Sequence, residues 1–355
     1  MKILYDHQIF SMQRVGGISK YFMELTLNMP PEISRNISVK MSDNVYLSAY
    51  KPVVSFPNFR GVHRIYNMLN EPVSLYHLNK KYDVFHPTYY NPYFLQHKHP
   101  RYVITVHDMI HEKFPHLFPL RDKTAEQKRK SILNADRIIA ISENTKNDLL
   151  EIYDIDNPEK IRVIHHGMAV NRTIDPVANL PQNYILFVGE RVGYKNFKNF
   201  CIAFSKVVRN YEDVQLVCTG RDFTSKEMES LKKLGIRDKV QRYFVSDSQL
   251  RYLYKNALCF AYPSLYEGFG LPILEAFMMK CPVILSHSSC FPEIAGDCAV
   301  YFEPTDVDSM GDAIEKVLNN SVLRQELSQQ GEIRLGNYTI DKMVSKTLNV
   351  YQELC

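Results

Sequence analysis

The second half of this chain most narrows what it can fold into. Short apolar runs at Tyr184–Gly189, Val214–Gly220, Val240–Phe244, Leu258–Tyr262 and Pro282–Ser286 alternate with helical stretches at Phe197–Asn210, Lys226–Leu234, Asp247–Ala257 and Pro272–Lys280. Strands that are apolar along nearly their whole length are buried on both faces. A parallel sheet covered by helices is the arrangement that does this. The first half repeats the pattern more loosely, with strands at Lys2–Tyr5, Asp83–His86, Tyr102–His107, Arg137–Ser142 and Lys160–His165. Helical stretches follow at Ile18–Asn28, Leu120–Ala135 and Ser142–Tyr153, the last with Ser142 as its N-cap. The polar stretch Gly167–Gln182, with Pro176 and Pro181, reads as a linker. Met310–Cys355 reads as helical throughout. The expectation is two α/β units, with ligands bound beyond the carboxyl ends of the strands and facing a cleft between them.

Composition excludes several other classes. The 355 residues exceed one ordinary core, and 45% apolar with 23% charged residues is a globular balance. A net charge of +4 makes no case for nucleic acid. The seven cysteines all lie beyond residue 200, form no C-x-x-C pair, and several sit in strand-like runs, as Cys218 and Cys259 do. Inert buried thiols and a reducing, cytoplasmic setting are therefore expected. Asp6 and His7 interrupt what would be the apolar core of a leader. No apolar run reaches the roughly 18–20 residues needed to span a bilayer.

The chemistry concentrates in Tyr262-Pro-Ser-Leu-Tyr-Glu267-Gly-Phe-Gly-Leu-Pro-Ile-Leu-Glu275-Ala, where a strand gives way to a helix. Gly268 and Gly270 allow close backbone approach, Pro272 suits the first helical position, and free amides at a helix start favour an anion such as phosphate. Glu267 before the turn and Glu275 in the first helical turn are acceptors suited to sugar hydroxyls. The plainer alternative makes Glu275 a complement to the helix dipole and Glu267 a solvated loop residue. After the preceding strand, Gly189-Glu-Arg191-Val-Gly-Tyr-Lys195-Asn196 places two cations in one loop. In the first half, Gly16 and Gly17 open a helix without dinucleotide-fingerprint spacing, and the strand from Tyr102 delivers His107 and Asp108.

The string E-G-F-G-L-P-I-L-E resembles the E-x7-E motif of retaining glycosyltransferases with the GT-B fold, the family called glycosyl transferases group 1. The resemblance covers nearly the whole chain and is strongest from Tyr184 to Phe302. It implies two Rossmann-like doubly wound domains facing a central cleft. Residues 1–170 would form the acceptor domain and residues 183–335 the nucleotide-sugar donor domain, with the helix of 336–355 packing back toward the first. It further implies Glu267 at the donor sugar and reaction centre and Glu275 on the ribose hydroxyls. Phe269, Gly270 and Leu271 would contact the donor, and Arg191 and Lys195 the diphosphate. Gly16 and Gly17 would lie near the diphosphate and acceptor, and His107 on the donor sugar. Glu190 stands where the family more often has a small residue.

The reaction so implied moves a hexose, with mannose favoured, from a nucleoside-diphosphate sugar to a glycan or lipid-linked acceptor, with retention and without metal or cofactor. GDP-mannose is the favoured donor, with UDP- or dTDP-sugars as alternatives. Rival readings are GT-B epimerases or phosphorylases, or a non-catalytic protein that binds sugar nucleotides. Lys123, Lys128, Arg129 and Lys130 beside Leu117 and Phe118 suggest a basic-apolar edge for peripheral contact with a membrane.

Overall fold

The computed structural model describes residues 1–155 and 157–355, which divide into two compact units. One unit comprises Met1–Gly167 with Thr339–Cys355, the other Met168–Tyr338. The chain thus leaves the first unit at the start of the expected linker. The rest of that stretch is tied within the second unit, Met168 N–H donating to Tyr338 O and Asp175 N–H to Ser248 O.

In the first unit, β1 (Lys2–Tyr5), β2 (Ser34–Ile37) and β3 (Val84–His86) form a parallel sheet of order β2-β1-β3. β4 (Val103–Val106), β5 (Arg137–Ala140) and β6 (Ile161–Val163) form a second, of order β4-β5-β6. A single parallel bridge between Phe85 and Tyr102 joins them. β3 and β4 are buried along their whole length, which is why they read as continuous apolar runs. The core gathers Ile3, Tyr5, Phe10, Phe22, Val103 and Ile139 around the sheets. The final helix, Ile340–Gln352, adds Met343, Val344 and Tyr351 to this same core. Its entry is tight: a Cβ on Gly167 would lie 2.5 Å from Ile340 Cα and 2.7 Å from Thr339 O.

The second unit is one six-stranded parallel sheet of order β12-β11-β10-β7-β8-β9. Its strands are β7 (Asn183–Phe187), β8 (Val214–Cys218), β9 (Val240–Arg242), β10 (Cys259–Tyr262), β11 (Val283–Ser286) and β12 (Val300–Phe302). Capping boxes start two of its helices. Thr224 and Glu227 open Ser225–Lys233, and Ser246 and Gln249 open Asp247–Asn256, each pair satisfying two free amides. All seven cysteines are unpaired, and every one but Cys355 is buried.

Several elements differ from expectation. The terminal stretch is three helices, Val307–Asn319, Ser321–Leu335 and Ile340–Gln352. Asn320 and Thr339 break it by capping the following amides. The helix expected from Leu120 starts at Thr124. A 17-residue helix, Val62–Leu78, holds Pro72 in its interior. Proline there removes a hydrogen bond and hides the element from a propensity reading. Ser142 caps Glu143–Tyr153 as expected, accepting from Thr145 N–H. Among the described residues no helix is long and apolar enough to cross a membrane.

Candidate active site

In the second unit, β7 and β10 are hydrogen-bonded neighbours, so the loops leaving their carboxyl ends emerge side by side. Leu265 N–H donates to Tyr194 O at 2.7 Å and stitches the two loops together. Across that seam Lys195 Nζ lies 2.6 Å from Glu267 Oε1 and 3.4 Å from Tyr262 OH. Both charged side chains are largely withdrawn from solvent. A close ion pair in such a setting is stronger than a surface pair, because less water screens it. Glu267 is held from behind as well. Its N–H donates to Ser289 Oγ at 3.2 Å, and Cys290 Sγ donates to its carbonyl. Burial pushes the Tyr262 hydroxyl well above the usual phenol range, and the Glu267 carboxylate pushes it further. Tyr262 therefore remains a neutral donor beside the carboxylate.

The turn after Glu267 is built on backbone. Gly270 sits at φ 90°, in the left-handed region, and N-caps the helix Leu271–Met278. A Cβ there would press on Ile273 and Phe291. The Phe269 ring is buried and meets Tyr338 edge-on, so Phe269 can offer a ligand only its backbone. Leu271 is the first helical residue and Pro272 the second. Glu275 is therefore the fifth residue and lies in the second turn, not the first, where Tyr254 OH donates to its Oε2 at 3.2 Å.

Arg191 is placed differently from expectation. Its side chain is fully buried. Nε donates to Glu227 Oε1 at 3.1 Å, while the two terminal nitrogens donate to the carbonyls of Thr219, Arg221 and Asp222. The guanidinium also covers the Phe223 ring, 4.5 Å from its centroid. Four hydrogen bonds thus tie Arg191 to Glu227 and to the loop after β8. Burial raises the Glu227 carboxyl, but hydrogen bonds from Thr224 and the charges of Arg191 and Arg221 hold it below its usual value.

In the first unit, His107 follows β4. Its N–H donates to Tyr90 OH at 3.0 Å, and its ring lies between the edge of Tyr21 and a stacked His166. Among the described residues Nε2 has no hydrogen-bond partner. Burial, then the nearby His86 and Lys128, pushes the imidazole down to about 3, so it is neutral at ordinary pH. His86 is likewise lowered to about 3 by burial, between Tyr351 OH and Thr105 Oγ1. A buried neutral ring with an unanswered nitrogen is suited to a ligand hydroxyl. His166 was not singled out in the sequence; its one signal was the His165-His166-Gly167 end of a strand-like run.

Gly16 and Gly17 do not follow β1 directly. Asp6 and the short helix Gln8–Met12 intervene, Gly16 caps Gly17–Leu27 in extended conformation, and Gly17 is its first residue. Asp6 accepts from Thr88 N–H and Oγ1, Gln8 Nε2 and Tyr93 OH, which makes it a fixed brace. A polar cavity of about 440 Å³ opens in this unit, lined among others by Glu71, Asn91, Tyr93, Gln96, Lys123 and Lys130. Lys128 is no part of a surface edge. Its side chain is fully buried and its Nζ donates to Asp108 O and Glu112 Oε2, both at 2.9 Å. Among the described residues no three His, Cys, Asp or Glu side chains converge as a metal-ligand set.

Comparison with known proteins bears on the family and the fold. Residues 15–172 match the family Glycosyltransferase Family 4, and residues 172–334 match Glycosyl transferases group 1. The chain is 27% identical over 286 residues to the O-antigen chain mannosyltransferase B of Escherichia coli, covering 75% of this chain and 74% of that one. It is 29% identical over 245 residues to the O-antigen chain mannosyltransferase RfbU of Salmonella typhimurium, covering 66% and 68%. Among solved structures, sucrose-phosphate synthase from Thermosynechococcus elongatus superposes with TM-score 0.74 at 20% identity, over 100% of this chain and 99% of that one. Anabaena Alr3699/HepE, solved with UDP and glucose, superposes with TM-score 0.75 at 14% identity, over 99% and 100%. At such identities the structural likeness speaks to the fold. The two family matches, together spanning the strand-end loops of both units, place this chain among the GT-B glycosyltransferases, with a Glycosyltransferase Family 4 segment followed by a glycosyl transferases group 1 segment.

Proposed function

We propose that the chain transfers a hexose, mannose in preference, from a nucleoside-diphosphate sugar to a hydroxyl of a glycan or lipid-linked acceptor, retaining anomeric configuration, in the synthesis of a cell-surface polysaccharide. The observation that carries this reading is the 2.6 Å Lys195–Glu267 pair at the seam of two neighbouring strand-end loops. A cation and a carboxylate so close can each take a different part of one ligand, the ammonium a phosphate oxygen and the carboxylate a sugar hydroxyl. In the step, the acceptor oxygen bonds to the anomeric carbon as the bond from that carbon to the phosphate oxygen breaks. The acceptor proton passes to the departing phosphate. Lys195 stabilises the charge that grows there, and that is where a fixed cation lowers a barrier.

Glu275, braced by Tyr254, is assigned to the ribose hydroxyls, and the amides of Phe269, Gly270 and Leu271 to the donor. His107, through its open Nε2, is assigned to a sugar hydroxyl. The diphosphate assignment rests on Lys195, because the Arg191 side chain is buried and hydrogen-bonded within its own unit. Gly16 and Gly17 are assigned to the neighbourhood of the diphosphate and the acceptor. The reaction so drawn needs no metal or cofactor. Mannose is favoured because two relatives are named as mannosyltransferases of O-antigen chains, and the same names support a polysaccharide setting.

Nucleoside diphosphate released from GDP-mannose, other GDP-sugars, UDP-sugars and dTDP-sugars, with and without acceptor glycan, tests the reading. GDP-mannose is expected to give the fastest release, and Lys195→Met to lower kcat at least about a hundredfold. Absence of release from every donor would defeat the transferase reading. Full activity in Lys195→Met would remove the leaving-group role.

A further inference from the structure

In the first unit a chain of buried hydroxyls and one imidazole leads to the rings around His107. Tyr5 OH lies 3.1 Å from Tyr351 OH, which lies 2.6 Å from His86 Nδ1. On the other side of the imidazole, His86 Nε2 lies 2.9 Å from Thr105 Oγ1, which is 3.3 Å from Tyr21 OH. Tyr5, His86 and Tyr351 are wholly buried, and Thr105 and Tyr21 nearly so. Each proton in the chain must therefore find its acceptor within the protein.

That requirement gives the chain a direction. Among the described residues the Tyr5 hydroxyl has one partner, Tyr351 OH, so the Tyr5 proton goes there. The Tyr351 proton then goes to His86 Nδ1. Burial keeps the imidazole neutral, and a neutral ring that accepts at Nδ1 carries its proton on Nε2. Nε2 therefore donates to Thr105, and Thr105 to Tyr21. The Tyr21 proton is left for Thr347, which also hydrogen-bonds that phenol and whose own hydroxyl donates to Met343 O at 2.8 Å. The opposite direction would strand the Tyr5 O–H in the core, a costly state for a polar group. Tyr351 and Thr347 both belong to the last helix, Ile340–Gln352, so that helix holds the chain at two points. What the chain holds in turn is the Tyr21 ring. That ring meets His107 edge-on, with centroids 5.2 Å apart, and His166 edge-on at 4.9 Å, while His166 stacks on His107. His107 Nε2 has no hydrogen-bond partner among the described residues, so the packing around its ring sets where that nitrogen points.

We propose that Tyr351 and Thr347 of the last helix are positioning residues for His107, acting through the ordered chain of His86, Thr105 and Tyr21. The last helix thereby sets the direction in which His107 Nε2 meets a sugar hydroxyl. This rests on the sugar-hydroxyl assignment of His107 made above, while the proton order of the chain can be measured without any substrate.

The test uses the full chain with nitrogen-labelled histidine. Two-bond proton–nitrogen spectra are expected to show His86 protonated at Nε2 alone. Tyr351→Phe should let that proton divide between the two nitrogens and should shift the signals of His107 as well as those of His86. With the donor that releases fastest in the panel above, Tyr351→Phe should lower kcat/KM at least about tenfold. Affinity for the matching nucleoside diphosphate, which carries no sugar, should stay at the parent's value. Thr105→Val should act likewise, and the double variant should be no worse than either, since both cut one chain. Val350→Ala, buried on the same helix but off the chain, should cost stability and leave kcat/KM unchanged. The proposal is overturned if His86 carries its proton on Nδ1, or if Tyr351→Phe leaves the His107 signals or kcat/KM in place. It is also overturned if Val350→Ala lowers kcat/KM as far as Tyr351→Phe does, the mark of mere destabilisation. A parent that releases nothing from any donor defeats the transferase reading alone, and the histidine signals still decide the chain.

Discussion

At the scale of single residues, the two loop cations separate cleanly. Lys195 reaches Glu267, while Arg191 is absorbed by Glu227 and three carbonyls. Arg191→Ala is therefore expected to act first on stability. It leaves the carbonyls of Thr219, Arg221 and Asp222 without that donor, while Glu227 keeps Arg221 and Thr224, at a cost of about 1–3 kcal/mol. Urea unfolding of the variant measures this. A variant that unfolds like the unmodified chain but has lost transfer would restore the diphosphate role. The glutamates and glycines of the Glu267–Glu275 segment were legible in the sequence because their types and spacing carry the chemistry. The fate of Arg191 was not, since nothing local announces that the loop after β8, some thirty residues on, will present its carbonyls to it.

At the scale of elements, near-continuous apolar runs marked most of the strands, because strands buried on both faces need apolar residues at almost every position. β2, with only Ile37 buried, and the helix with Pro72 lacked that mark. The last helix enters the first unit close against one glycine. Gly167→Ala would drive a methyl group into the backbone of Thr339 and Ile340, which cannot yield as a side-chain end can. The expected outcome is a loss of about 1–3 kcal/mol, centred on the first unit. Hydrogen exchange should show faster exchange in Ile340–Gln352 and in β1. Protection equal to the parent's in both elements would refute the tight approach.

At the scale of the whole molecule, titration is lopsided. Eleven of the twelve histidines lie in the first unit, and His287 is the exception. His86 and His107 are lowered to about 3 by burial, and His7 and His166 are lowered too. An unfolded imidazole takes up its proton near pH 6.5, whereas these do so at lower pH, so the unfolded state binds more protons in between. The stability they contribute is complete above pH 6.5 and is lost as pH falls below it, for His86 and His107 toward about 3. The lowered carboxyls, such as Glu227, act only below about pH 4.5. Between pH 6.5 and 4.5 the first unit should therefore lose stability well before the second. Unit-resolved hydrogen exchange across that range checks it, and a parallel loss in both units would contradict it.

The sequence alone determined the class of fold, most of the strands and the segment to which the chemistry is assigned. Apolar periodicity, and residue types spaced closely along the chain, act through local physics. Tertiary structure decided what depends on partners distant in sequence. It set Lys195 against Glu267 and Arg191 against Glu227 and the loop after β8. It took Lys128 from the surface to Glu112 and set Asn70 and Ser74 on the buried face of Val62–Leu78. Each of these outcomes was fixed by which groups a side chain meets once burial has removed the water that would otherwise satisfy it.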